Sequence, residues 1–431
     1  MSSTSLPLSA AYAPPDHAAD AARSGTRGRQ ALALLKLALV ASCFLGVGNY
    51  SPAIVPPELG ALTQVFSILM WVLIAAASFG VPARLRLGPW TDLALGLAFY
   101  AFAILSVLWS DLLAASFLKS GALLVTTFAA YRLARSLSLD EIVGCVLAGL
   151  TILCTASVAT VLVLPEIGIV QTGMHEGQWS GLFESKQSLG AVGALVIFFA
   201  GYRLMTRRRW LPFLLTVSVA LACVVGSGSR GAGATAVAAI LFLYVVQGSP
   251  RLGRLMAFGP VAMTLVACAL LGHLYATDGH YFVAFGEPID LTQRTFIWHH
   301  ALERVDANPL LGYGLNGFWS VDTILHAFMR EHGWALDNYH SGYLAILTET
   351  GLVGMALYLA WIFMFGARMA RWIGRDALPP AHLNLIVAYM NLIFFFNVTE
   401  TFFLRSTNLM AVMMAAFFFV SAQALDRRRA A

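Results

Sequence analysis

In LDNYHSGYLAILTETGLVG (336–354) a histidine, His340, precedes an apolar run that carries a carboxylate, Glu349, in its middle. A neutral imidazole at the mouth of such a run can accept a proton from an alcohol. An isolated histidine there is more often a plain interfacial side chain. Glu349 lies nine residues beyond His340, about 13 Å along a helix axis. Carboxylates in apolar segments are costly and turn toward the protein interior, so pairing within a bundle and orienting its helix is the first reading of Glu349. Basic residues hold comparable positions. Lys186 closes GQWSGLFESK just before an apolar run, Arg230 sits in GSGSRGAG between two such runs, and Arg294 opens the helical pattern in TQRTFIWHHALERV. Arginine offers a planar fork of N–H donors that matches phosphate oxygens bidentately, and lysine adds a point charge. The plainer account is attraction to lipid phosphates without chemistry; for Lys186, Arg304 or Arg330 taken singly it is at least as good. Glu400 and Arg405 lie in NVTETFFLRSTN, where they can pair with each other or face one cavity.

These residues need elements to hold them, and the composition says which kind. The chain is 431 residues long, 59% hydrophobic and 11% charged, with a mean hydropathy of +0.74, far from ordinary globular domains. Apolar runs able to cross about 30 Å of hydrocarbon recur at 31–48, 61–80, 90–108, 112–133, 142–165, 188–205, 210–228, 232–249, 256–276, 342–365, 383–400 and 406–424. The expected fold is therefore all-α, a polytopic membrane domain of about twelve helices over 29–426, preceded by a disordered tail at 1–28. That tail is too long and polar for a cleavable signal peptide, so the first span is expected to remain as an anchor. The five cysteines all fall in apolar runs and behave as small hydrophobes.

Nineteen Lys and Arg fall on the even-numbered connections and both tails, against six on the odd-numbered ones: Lys186, Arg230, Arg294, Arg304, Arg330 and Arg405. Lys36 and Lys119 lie within spans, snorkelling or paired. The positive-inside rule then puts both termini in the cytoplasm. This asymmetry, rather than nucleic acid, explains the pI near 9.0. The long outer connection, 277–341, should carry its own structure. TQRTFIWHHALERV and GFWSVDTILHAFMREH have the spacing of amphipathic helices lying on the membrane face, separated by the turn-rich NPLLGYGLNG. Its histidines, His280, His299, His300, His326 and His332 with His340 at the edge, match no metal-ligand spacing, and no DxD pair stands on the outer side. No metal is expected. Neither an internal repeat nor an interrupted helix is evident.

In combination, GLFESKQSLG, GSGSRGA, LTQRTFIWHHALERVDANPLLGYGLNGFW, YHSGYLAILTETGLVG and FNVTETFFLRSTNLM resemble the O-antigen ligase and Wzy-type polymerase superfamily, in particular its ExoQ-type exopolysaccharide-polymerase branch. The resemblance covers about 175–410 through motifs, and the amino-terminal spans through hydropathy alone. It implies a GT-C-like fold and a metal-independent, inverting glycosyltransferase without a cofactor. Its donor would be a saccharide on undecaprenyl pyrophosphate and its acceptor a second saccharide, at the outer face of the bacterial inner membrane. A flippase and a chain-length regulator would be its partners. Carried over by motif, Arg230 and Arg294 match the pyrophosphate-binding arginines and His340 the essential histidine, and Lys186 is retained; Lys186, Arg405, Glu349 and Glu400 are expected on the substrate-binding side. The family's usual HKN is here Ser185, Lys186 and Gln187, and its usual HN is His340 and Ser341, so no family role passes to Ser185, Gln187 or Ser341. A polymerase is favoured. The competing expectations are a ligase that moves finished O-antigen onto lipid A core and, from another class, a twelve-span saccharide or lipid transporter.

Overall fold

The computed structural model describes residues 25–422 apart from 84–85, 174, 278–281, 285–286, 290–293, 320–321, 333–337 and 376. The expected tail lies outside the described residues as far as residue 24, as do 423–431. In hydrocarbon every backbone N–H and C=O must be satisfied within the chain, which favours helices. A helix forms on each apolar segment: α1 (Thr26–Leu45), α2 (Gly60–Phe79), α3 (Thr91–Leu105), α4 (Leu113–Ser136), α5 (Leu139–Val163), α6 (Lys186–Arg207), α7 (Trp210–Gly226), α8 (Arg230–Gly248) and α9 (Gly259–Thr277). The long connection after α9 holds α10 (Arg294–Val305) and α11 (Asp322–His332), and α12 (Gly342–Trp372), α13 (Pro380–Phe396) and α14 (Leu409–Ser421) complete the bundle. Among the described residues nine helices are long and apolar enough to cross a membrane, while α7, α13 and α14 are apolar but shorter. The chain is a polytopic, helical membrane protein. Its strands among the described residues are one small hairpin, Phe282–Ala284 with Glu287–Ile289.

The central helix is α6, apolar on all sides and buried without interruption from Leu189 to Ala200. A helix with that pattern belongs inside a bundle. At one end of the bundle, charge pairs tie the helices. Lys36 of α1 meets Glu141 of α5 at 2.8 Å, and Asp140 lies 3.5 Å from Arg203 of α6 and 3.4 Å from His382 of α13. Arg368 of α12 donates to both oxygens of Asp92 at the start of α3, at 2.6 to 3.0 Å, with side chains only 1% and 3% exposed. Buried charges persist when paired and hydrogen-bonded, and this one fastens α3 to α12.

The loop helices differ from expectation in one respect. Rather than lying on the membrane face, α10 buries Ile297, Trp298, Ala301 and Leu302 against the bundle, and Trp298 Nε1 donates to Tyr339 O at 3.0 Å. Arg304 is no free surface cation either. It donates to His300 O at 2.8 Å and lies 3.6 Å from Glu331, joining α10 to α11.

A second difference concerns α12, which is interrupted at Gly351 (φ 64°, ψ −166°). The break frees backbone groups, and the turn at 309–314 takes them up. Tyr313 N donates to Thr348 O at 2.9 Å and Gly314 N to Glu349 O at 3.0 Å, while Leu352 N and Val353 N donate to Pro309 O and Leu310 O at 2.9 and 3.1 Å. Irregular backbone within a bundle is tolerated where such partners exist. A Cβ on Gly351 would overlap Leu310 O, and its φ is one that side chains rarely adopt. Gly351→Ala is expected to cost at least about 1–3 kcal/mol in backbone strain alone. Thermal unfolding in detergent should show a clear drop for it, and none for Gly121→Ala, where a Cβ meets open space; equal melting of both variants would mean the break is dispensable.

Candidate active site

The motif residues occupy helix starts. Ser185 caps α6, its side chain accepting from Ser188 N, and Lys186 is the next residue. Ser229 caps α8 by accepting from Ala232 N, and Arg230 follows it. Ser341 caps α12 by accepting from Leu344 N, with His340 immediately before it. Arg294 opens α10. Serine is a strong N-cap because its oxygen satisfies an orphan N–H of the first turn. Helix N-termini carry partial positive charge and favour anions, so a basic residue beside each start adds to that field.

Two of these starts lie side by side, since a Cβ on Gly190 would fall 2.5 Å from Ala232 Cβ. Lys186 is buried and donates to Gln178 Oε1 at 2.6 Å, a neutral amide that leaves the ammonium its charge. The charges of Lys186 and Arg230 repel one another, and Arg230 is exposed. A Cβ on the adjoining Gly231 would fall 3.8 Å from Thr399 Oγ1, which places this turn against the segment carrying Glu400.

Glu400 is where the loop and the bundle meet. Arg294 Nη2 donates to its Oε1 at 2.7 Å, and His340 Nδ1 lies 3.5 Å from its Oε2. Arg405 pairs elsewhere, donating to Glu349 Oε1 at 2.9 Å with its guanidinium 5.9 Å from the Tyr339 ring. Of the two arrangements open in the sequence for Glu400 and Arg405, direct pairing is not the one formed. Glu349 is 1% exposed, held just before the break in α12, and Tyr339 is wholly buried. Burial and the charge of Glu349 keep the Tyr339 phenol well above its usual range, hence neutral.

His340 has a left-handed backbone (φ 47°), fixed by Asn338 Oδ1 accepting from His340 N at 3.1 Å and by Thr401 Oγ1 accepting from Ser341 N at 3.1 Å. Asn397 secures the same corner, its Oδ1 accepting from Phe402 N and Phe403 N at 2.9 and 3.1 Å. Thus Arg294, His340 and Glu400 form one group and Glu349 and Arg405 a second, linked through Tyr339. Lys186 and Arg230 form a third, reached through Gly231 and Thr399. Gln178, Asn397, Thr401 and the three capping serines were not singled out by chemistry. Only the serines carried a signal, a cap residue ahead of an apolar run. Among the described residues, no three of His, Cys, Asp and Glu gather as metal ligands.

Comparison with known proteins falls on the same stretches. Residues 215–359 match the family described as Wzy_C, O-antigen ligase, a range that contains Arg230, Arg294, His340 and Glu349. The chain is 24% identical over 315 residues to the exopolysaccharide production protein ExoQ of Rhizobium meliloti (strain 1021), covering 66% of this chain and 67% of that one. Two proteins named as polysaccharide ligases also match. That of Rickettsia prowazekii (strain Madrid E) is 24% identical over 40% of this chain and 42% of its own, and that of Rickettsia conorii (strain ATCC VR-613 / Malish 7) is 21% identical over 47% and 48%. The match spans less than half the length of either rickettsial protein.

Proposed function

We propose that this chain, whose residues 215–359 belong to the O-antigen ligase family, is a membrane glycosyltransferase that moves a saccharide from polyprenyl pyrophosphate to an acceptor saccharide. The observation that carries the reading is the meeting of Arg294 and His340, 46 residues apart by number (340 minus 294), on the two oxygens of Glu400. In such a transfer the bond from the anomeric carbon to the pyrophosphate breaks, the pyrophosphate leaves with the electron pair, and the acceptor oxygen forms the new bond from the opposite face. Arg294, Arg230 and Lys186 are suited to hold the departing charge, without a metal, at helix starts that share its preference for anions. Glu400 faces His340 Nδ1, which leaves Nε2 to take the acceptor's proton. Inversion at the anomeric carbon follows from attack opposite the leaving group.

An exopolysaccharide polymerase is favoured over a ligase to lipid A core, since the match to ExoQ runs over more of the chain than those to the ligases. The interrupted α12 brings to mind transporters, whose broken helices leave backbone groups for a substrate. Here the groups freed at Gly351 are bonded to residues 309–314 of the same chain, which favours glycosyl transfer. The nineteen-to-six charge asymmetry supports cytoplasmic termini in the inner membrane; reporters fused at Asp290 and after Arg428 should then report opposite sides. Deleting the gene tests the function itself. Loss of secreted polymer with accumulation of single lipid-linked repeats is the expected result, finished chains that fail to reach lipid A core would mean a ligase, and unchanged saccharides would remove the reading.

A further inference from the structure

A cavity of about 550 Å³ opens beside the candidate active site, within the range of about 300–1,000 Å³ typical of small-molecule sites. Asn49, Gln64, Lys119, Glu184, Asn316 and Arg405 line it, from the α1–α2 connection, α2, α4, the motif segment before α6, the outer loop and the segment before α14. We propose that it binds the sugar rings of a substrate, a reading that rests on glycosyl transfer as the function. Vicinal hydroxyls both donate and accept, and carboxamides answer them with an acceptor and two donors each. Three carboxamides, two cations and one carboxylate among these side chains suit the hydroxyls of a sugar, and Tyr50, Val55 and Pro57 beside them suit its C–H faces.

The backbone supplies an independent sign. The non-glycine residues with positive φ among those described are Arg208, Asn316, His340 and Leu404. Asn316 (φ 58°) and Leu404 (φ 59°) both line the cavity, and His340 stands in the candidate active site. Asparagine tolerates that conformation, whereas a leucine held there is strained, and such strain gathers where the surroundings enforce a functional shape. The bend at Leu404 precedes Arg405, whose side chain reaches Glu349 at 2.9 Å and lies over Tyr339, the neighbour of His340. Arg405 is therefore a wall shared by cavity and catalytic group. A saccharide seated in the cavity would lie against Arg405, which packs over Tyr339, the residue before His340.

Of the residues lining the cavity only Leu315 and Asn316 fall inside the family-matched stretch 215–359. The leaving group is handled by residues of the matched stretch and by Lys186, whereas the sugar-selecting surface comes from segments outside it, chiefly the α1–α2 connection and the start of α2. Saccharide choice is thus set by a different part of the chain from the chemistry.

The test uses the full chain in lipid nanodiscs, titrated with lipid-free oligosaccharide repeats released by mild acid from the source cell's own polymer. Binding is read by saturation-transfer difference NMR. Gln64→Ala and Asn316→Gly, the second keeping the positive φ, should each weaken binding by about tenfold, the effect of one lost hydrogen bond. Arg330→Lys, exposed on α11 and outside the cavity, should bind the repeats as the wild type does. Repeats bearing a reducing-end phosphate form a second arm: tighter binding that Arg294→Lys abolishes assigns the cavity to the donor's sugars, and equal binding assigns it to the acceptor's. Unchanged binding in both cavity variants, or no binding by a wild-type protein that still restores polymer to the deletion strain, overturns the proposal. Failure of the function reads differently, as wild-type polymer in cells without the gene.

Discussion

His340→Ala abolishes saccharide transfer while leaving the amount of folded protein in the membrane near that of the wild type. The expectation follows from geometry: Nδ1 lies 3.5 Å from Glu400, the side chain is only half-buried at the head of α12, and few packing contacts are lost with it. General acid–base groups contribute about 10²–10⁴ in rate, so transfer should fall by that factor. The backbone at His340 has φ 47°, which alanine tolerates less well than asparagine does. His340→Asn therefore serves as a second variant that keeps the turn and should lose the same activity. His326→Ala, on the exposed face of α11, is the control. Transfer is measured in membranes supplied with lipid-linked repeats, and protein by immunoblot. Wild-type transfer in His340→Asn, or equal losses in the His326 control, would leave His340 without a special role.

Arg294→Lys and Arg230→Lys should each reduce transfer by about 10²–10³, the loss typical of removing one donor from a developing anion. Charge is preserved in both, so the loss tests the fork geometry that holds a phosphate bidentately. The two variants should differ in their side effects. Arg294 is bonded to Glu400, and lysine there disturbs the carboxylate that also faces His340, whereas Arg230 is exposed and its replacement leaves that group intact. Arg330→Lys is the control, since Arg330 is exposed on α11; the bonds of Arg304 to His300 and Glu331 make it unsuitable. If transfer by both variants matches the control, pyrophosphate is not bound through paired guanidinium groups.

The helices were legible from hydropathy because the cost of bare backbone in hydrocarbon acts on each segment separately. Every apolar run became a helix, and boundaries moved by at most seven residues, at the end of α12. The loop helices α10 and α11 were legible by period, as was the turn between them. Residue types were legible too, since a histidine, cations and two carboxylates at the edges of apolar runs or, for Glu349, within one are costly enough to need a reason.

Partnership was not legible. Glu400 and Arg405 are near neighbours in sequence, yet Glu400 takes Arg294, 106 residues away, and Arg405 takes Glu349, 56 away. A buried charge needs some partner, but which one depends on how α10, α12 and the segment before α14 are arranged, and residue type does not encode that. The break at Gly351 was hidden for the same reason. A glycine within an apolar run reads as helix, and only the arrival of residues 309–314 at its freed N–H and C=O groups makes the interruption stable. The cavity is the extreme case, with walls drawn from six separate segments. The sequence by itself determined that this chain would be a helical membrane protein with cationic and imidazole side chains at the starts of several of its helices, because hydropathy and donor chemistry are local properties. The tertiary structure alone decided that Arg294 and His340 share one carboxylate, that residues 309–314 are bonded into a broken helix, and that the α1–α2 connection and the start of α2 wall a cavity with distant segments, because long-range packing selects among partners that are equal in local chemistry.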